Sequence, residues 1–388
     1  MEEAVEDPLQ GVGRAGEISS REEGVVRRMR EKGEVFELGW DKLIVAVGCY
    51  SQTFGTPGVR EHAYFLKDVG DAKRIRNRLL SCFEMASLPT TSEAMKRMLL
   101  NFAVVGGGPT GIEWSAELND IIEEDMGKLY PELVGYAKVS VVSALWDSHH
   151  SPFRSILADQ DDVHQITVYD VAPKVLSMFD EKLSNYAMKH FSRHGIDILT
   201  SHHVQELRPG VPSHITDEAT LHGPASCYTL KLQEKGEVGV GMCVWSTGLM
   251  MNPFVEKHLQ GKVALHEKTH GIRTDDRLRA KRPDGSVMEN VHALGDAAAM
   301  DGAAYPATAQ VASQQAGWLA KRLNKGDLEA GGFTYKDLGV MAYVGNWNAI
   351  MQSQGGDVSG RVAWFIWRGA YLAKSVSWRN RILIPVYW

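Results

Sequence analysis

Apolar residues along this chain gather into short runs that end in glycine or an acid, with longer amphipathic stretches between them. Such runs read as strands buried on both faces of a parallel sheet, and the stretches between them as covering helices. Residues 41–48, Phe102–Val105, 166–169, 196–199, Tyr228–Leu232, 241–245 and 291–294 predict strands. Residues 71–98, interrupted at Leu88-Pro89, and 111–126, 180–194 and 308–324 predict helices. In the second of these, Ile112, Ala116, Leu118 and Ile122 gather on one side and Glu113, Glu117, Asp120 and Glu124 on the other. The alternation predicts an α/β chain with parallel sheets and flanking helices.

The strongest local signal lies where one buried run meets a helix. Residues 101–118 read NFAVVGGGPTGIEWSAEL, in which Gly106, Gly108 and Gly111 fit G-x-G-x-x-G. The first glycine permits a tight turn, the second lets backbone amides approach a diphosphate, and the third lets the helix close on the strand. The helix N-terminus then favours a negative ligand. Asp170 ends the next strand, where its carboxylate accepts from ribose hydroxyls and repels a 2′-phosphate, a pattern that favours NADH over NADPH. Asp170 follows Gly111 by 59 positions, against about 20 in the usual unit, because residues 139–165 intervene. Glu113 is a candidate neighbour of the nicotinamide, or simply a carboxylate favoured near a helix start.

Two further turns follow apolar strands, at Gly248 and at Gly295-Asp296, where α/β sheets present ligand-contacting groups. Asp296 is placed to bind a ribityl or ribose hydroxyl. On the last predicted helix, Gln310 and Gln314 share a face with small Ala309 and Ala312 beside them, a lining suited to a flat carbonyl-bearing ligand or to a plain surface helix.

Composition narrows the reading. A chain of 388 residues has room for two or three domains, and a net charge of -6 counts against broad nucleic-acid binding. The four cysteines, Cys49, Cys82, Cys227 and Cys243, show no paired spacing, so neither a redox dithiol nor a disulfide framework is expected. No metal site is expected among the histidines. No apolar run reaches the ~20 residues of a spanning helix, and the first residues are acidic without an apolar signal core. Residues 1–38, with a basic run at 27–32, predict a short strand or an unstructured lead-in. Residues 331–388 hold Trp347, Trp364, Trp367, Trp378 and Trp388, five of the ten tryptophans, interspersed with Arg361, Arg368, Lys374, Arg379 and Arg381. That mixture suits a membrane interface, where rings sit at the boundary and cations face headgroups, or else a packed domain with solvated arginines.

Taken in order, LIVAVG with FGTPGVREHAYFLKD, VVGGGPTGIEWSAEL, ITVYDVAPKVLSMFDEKLS, HALGDAA and YPATAQVASQQAGWLAKRLN resemble the type II (alternative, rotenone-insensitive) NADH:quinone oxidoreductases of mitochondria in their fungal form. The resemblance covers roughly residues 41–126 and 166–388. It implies a two-dinucleotide-binding flavoprotein, glutathione-reductase-like, in which hydride passes from NADH to noncovalent FAD and two electrons pass to ubiquinone without proton pumping. It further implies that Gly106, Gly108, Gly111 and Asp170 bind NADH, with Glu113 near the nicotinamide. Gly295 and Asp296 would contact the flavin, and Gln310 and Gln314 would border flavin and quinone, with Gly248 kept as a cofactor-binding candidate from its strand-end turn alone. The implied division is 1–98 and 271–330 for the FAD-binding domain, 99–270 for the NADH-binding domain, and 331–388 for a membrane-anchoring and dimerisation domain. The implied location is the mitochondrial inner membrane, as a peripheral protein.

The chain departs from that pattern in three places. No second glycine motif precedes the LIVAVG strand, residues 139–165 are extra, either a real insertion or retained intron sequence, and RILIPVYW ends short of the family's anchor. The expectation is an incomplete family member that retains FAD poorly and has little quinone reductase activity. A disulfide reductase or sulfide:quinone reductase is disfavoured without a cysteine pair. A non-catalytic NADH-binding remnant is the alternative outside enzymology.

Overall fold

A computed structural model describes residues 24–29, 35–136, 166–170, 175–194, 196–221, 226–374 and 377–387. The segment 139–165, residues 30–32 of the basic run and Trp388 lie outside the described residues. The chain divides into two compact units, residues 1–50 with 249–337, and residues 51–248 with 338–388.

The second unit is built on a five-stranded, wholly parallel sheet in the order Tyr64–Phe65, Met242–Trp245, Phe102–Val105, Ile166–Asp170, Asp197–Thr200. Phe102–Val105 and Met242–Trp245 are buried at every position, which is why they read as continuous apolar runs rather than alternating ones. Helix Val69–Ser87 starts with a capping box in which Asp68 and Asp71 satisfy each other's backbone N–H groups. It ends before Pro89, and Ser92 caps the next helix, Glu93–Leu99. An antiparallel sheet of Val204–Pro209, Tyr228–Leu232 and Gly236–Val240 completes this part.

The C-terminal segment joins the same unit. Val340–Gly345, Asn348–Ser353 and Gly356–Gly360 form an antiparallel meander, followed by helices Arg361–Lys374 and Trp378–Tyr387. Ala342, Val344, Ile350 and Trp364 share one apolar core with Phe102, Ile112, Leu118 and Ile166. The aromatic C-terminus is therefore packed on its inner side, and its outer side carries exposed Val362, Phe365, Trp378 and Ile382. Among the described residues no helix is long and apolar enough to cross a membrane.

In the first unit, Leu43–Val45 runs parallel to Val287–Ala293, within a five-stranded mixed sheet that continues through Arg279–Lys281, Ile272–Thr274 and Ala298–Met300. Gly24–Met29 and Val35–Trp40 pair as an antiparallel hairpin, a short-strand lead-in. Thr308 caps the helix Ala309–Lys325, and Gly326 ends it in the left-handed region.

The unit boundaries differ from those drawn on the sequence. Residues 51–98 belong with the glycine turn, because Tyr64–Phe65 extends its sheet and helix Val69–Ser87 packs into its core. Residues 249–270 belong to the other unit, where Met251, Val255, Leu259 and Val263 share a core with Val45, Ile272 and Val291.

Candidate functional site

The glycine turn joins strand Phe102–Val105 to helix Pro109–Ile121. Gly106 has φ +114°, and a β-carbon there would meet the Ser246 carbonyl oxygen at 2.7 Å. Its N–H donates to the Tyr169 carbonyl at 2.7 Å, which ties the turn to the neighbouring strand. A β-carbon on Gly111 would sit 1.9 Å from the Gly106 carbonyl oxygen, so only glycine lets the helix close on the turn. Gly108, the N-cap residue, is different: a β-carbon there meets nothing within 4 Å, and its own φ is an ordinary -73°. The fold does not need glycine at 108. Its bare face fits a diphosphate drawn up to the N–H groups of a 13-residue helix.

Asp170, at the end of strand Ile166–Asp170, turns its Oδ2 toward the same turn, where it accepts from the Gly107 N–H. The acid and the glycine motif are thus one constellation despite the residues between them in sequence. A β-carbon on Gly107 would collide with that carboxylate at 2.7 Å and with Val175 at 2.5 Å. The middle residue of the G-G-G string is therefore also constrained, a point the motif spacing does not carry. Gly248 follows strand Met242–Trp245, and its carbonyl accepts from the Gln52 N–H at 3.0 Å.

Glu113 is the fifth residue of the turn helix, and its Oε1 accepts from two donors of the C-terminal segment. These are the Tyr343 backbone N–H and the Trp367 indole N–H, each at 3.0 Å. Burial pushes this carboxyl above the usual carboxylate range, and the two N–H donors pull it back. One and two turns on, Glu117 and Asp120 line the same side. Asp120 accepts from the Tyr343 hydroxyl and from the Asn346 N–H. Desolvation first, then the Asp120 and Glu113 carboxylates, push Glu117 up to about 7. The acidic side that the sequence sets opposite the apolar one is, at Glu113 and Asp120, a docking face for residues of the C-terminal segment.

In the first unit, Gly295 adopts φ +65° after strand Val287–Ala293, with Ala312 only 3.2 Å from where a β-carbon would stand. Its N–H donates to Oε1 of the buried Gln315 at 2.7 Å. Asp296 accepts from the Cys49 thiol at 3.2 Å. Cys49 and Gln315 thus hold this turn, and sequence reasoning missed both; Gln315 is legible only as the third glutamine of its run. Gln310 and Gln314, expected to border flavin and quinone, also make bonds within the protein. Gln310 Oε1 accepts from the Tyr335 hydroxyl at 2.7 Å, and the Gln314 amide both donates to and accepts from the Lys336 backbone, at 2.9 and 3.0 Å. They fasten the segment that follows their helix. Beyond the C-terminal end of strand Leu43–Val45, residues Val47, Tyr50, Asn252, Pro253, Phe254, Lys257 and His258 line an open cavity of about 410 Å³.

All four cysteines are buried and stand outside any disulfide. Burial pushes the Cys82 and Cys227 thiols up to about 11 and Cys243 to about 12, so none of these three is a ready nucleophile. Two histidine pairs stand at four-residue spacing in the sequence, His190/His194 and His266/His270. The second sits in a turn where the His270 N–H donates to the His266 carbonyl, and no group of three or more metal-ligating side chains occurs among the described residues.

Residues 13–316 match the family of pyridine nucleotide-disulphide oxidoreductases, and residues 338–388 match the NDH2 C-terminal domain. A probable NADH dehydrogenase of Dictyostelium discoideum is 35% identical over 359 residues, covering 91% of this chain and 67% of that protein. The mitochondrial internal alternative NAD(P)H-ubiquinone oxidoreductase A1 of Solanum tuberosum is 31% identical, and the mitochondrial external NADH-ubiquinone oxidoreductase 2 of Saccharomyces cerevisiae 32%. Each alignment covers 91% of this chain, and 64% and 62% of those proteins. The chain therefore spans about two thirds of the length of these relatives, which come from slime mould, plant and yeast alike. NDH2 of Plasmodium falciparum, solved in complex with NADH, shares the fold with a TM-score of 0.73 at 20% identity, over 92% of this chain and 79% of that one. The chain belongs to the pyridine nucleotide-disulphide oxidoreductase family and, within it, to the NDH2-like NADH dehydrogenases, FAD-dependent enzymes that pass electrons from NADH toward a quinone-type acceptor.

Proposed function

We propose that this chain is an NADH:quinone oxidoreductase that works peripherally on a mitochondrial membrane. The observation that carries the reading is the turn at 106–111, shaped for a diphosphate at Gly108 and joined to the ribose-selecting Asp170. In this reading the helix Pro109–Ile121 holds the NADH diphosphate at its N-terminus, and Asp170 selects NADH over its 2′-phosphorylated form. Glu113 sets the charge close to the head of that helix. On the flavin side, Asp296 is the group that would hold a ribityl hydroxyl, with its carboxylate oriented by the Cys49 thiol and its turn fixed by Gln315. FAD, when bound, supplies hydride acceptance from NADH and electron donation to the quinone. The exposed Val362, Phe365, Trp378 and Ile382, with Arg361 and Arg379 nearby in sequence, support contact with a membrane surface. Ubiquinone is the acceptor named for the plant and yeast relatives and the one proposed here.

The experiment is anaerobic addition of NADH to the purified chain in excess FAD, followed by a soluble ubiquinone analogue. The expected result is bleaching of protein-bound flavin absorbance by NADH and its return with quinone. NADH binding without any bleaching of bound flavin assigns the chain instead as a nucleotide-binding protein without catalysis.

A further inference from the structure

The two hydrogen bonds on Glu113 reach across the second unit. One donor, the Trp367 indole N–H, belongs to helix Arg361–Lys374, 254 positions away in sequence. That helix turns Val362 and Phe365 outward and Trp364 inward, and Trp367 stands half-buried on the inner side. The Tyr343 ring stacks on Trp367 at 5.3 Å and the Tyr371 ring lies tilted against it at 4.9 Å, so two rings contact the indole. A ring needed only for packing has no reason to aim its one polar atom at a carboxylate. Indole is a donor only, and a desolvated carboxylate stays charged only where donors meet it.

We propose that Trp367 is a positioning residue for the NADH reaction, holding the Glu113 carboxylate fixed and charged near the head of the glycine-turn helix. It ties helix Arg361–Lys374 of the C-terminal segment to the proposed dinucleotide site. The inference rests on the reading of residues 106–111 as the NADH seat. Its physical consequence is electrostatic. Nicotinamide gains a positive charge when it gives up hydride, and a carboxylate kept anionic on this helix favours that oxidised form. The groups that share the charge balance of Glu113 are Glu117 on its own helix and Tyr371 on helix Arg361–Lys374, while Asp120 and Arg368 act on Glu117. The Tyr343 backbone N–H and the Trp367 indole N–H donate to Glu113.

The test is the indole N–H spectrum of the full chain labelled with ¹⁵N-tryptophan. The resonance absent from Trp367→Phe identifies the group, and phenylalanine keeps the packing while removing the donor. Its expected behaviour is movement with pH in a single step, abolished in Glu113→Gln, and a further shift on adding NADH. In the same samples NADH fluorescence gives affinity against pH. In Trp367→Phe the midpoint of that profile is expected to move upward by about one pH unit, the size of one hydrogen bond to a charged group. Preference for NAD⁺ over NADH should also fall by about tenfold at a pH between the two midpoints. An indole resonance indifferent to Glu113→Gln, or identical affinity profiles in Trp367→Phe and the parent, overturns the inference. An indole that titrates with Glu113 in a chain that does not bind NADH refutes the reading of the turn instead, and leaves the hold on Glu113 standing.

Discussion

Two strand-end turns in this molecule, both proposed above to face a dinucleotide, are built by different constructions. At 106–111, the turn is made almost entirely by its own residues: positive φ at Gly106, closure at Gly111 and an open face at Gly108. At 295–296, glycine is again needed for φ, but the turn is held by side chains from elsewhere, Gln315 on the following helix and Cys49 at the end of another strand. A turn held by its own backbone writes its function into a contiguous string. One held by distant side chains does not, and its strength depends on partners that sequence spacing cannot identify.

Substitutions in the two turns separate these constructions. The largest effect is expected for Gly111→Ala, whose β-carbon would lie 1.9 Å from a backbone oxygen. Overpacking against backbone, which has no rotamer to yield, should cost about 3 kcal/mol of the second unit's stability by chemical denaturation, and NADH affinity with it. Gly295→Ala combines a left-handed backbone with a 3.2 Å approach to Ala312. It should cost about 2 kcal/mol, and the loss should appear in the first unit's transition, read by FAD affinity. A smaller effect tests the docking face beside the first turn. Glu117 ionises in the folded chain at about 7, against roughly 4.3 unfolded, so the folded state keeps its proton longer. Its stabilising contribution is full below about 4.3 and lost as pH rises toward neutrality. Glu117→Gln should flatten that pH dependence and raise Tm above pH 7 by about 2 °C, a modest gain because Glu117 keeps an exposed face.

The same contrast explains what the sequence disclosed. The parallel strands of the second unit, the helix starting near Gly108 and the pairing of Asp170 with the glycine turn were legible, because burial on both faces and local turn geometry leave periodic and contiguous marks. The meander Val340–Ser353 was not read, since Gly345, Asn346 and Trp347 make a turn with three consecutive positive φ values that no common dipeptide signal announces. Nor did the sequence disclose that Glu113 and Asp120 face protein rather than water. An amphipathic helix looks the same whether its polar side meets solvent or the N–H and O–H groups of another segment. Gln310 and Gln314 were found as a pair on one face, but their partners at Tyr335 and Lys336 lie beyond any helical pattern.

The most direct measurement on the central claim, that residues 106–111 seat NADH, compares NADH titrations of the parent chain and Gly108→Ala by nucleotide fluorescence. A β-carbon at 108 touches nothing within 4 Å in the protein, so stability should be unchanged within about 0.5 kcal/mol. NADH affinity should fall by about tenfold or more, because the methyl occupies the space the diphosphate needs. Equal affinity in the two chains, with the fold intact in both, would contradict the account.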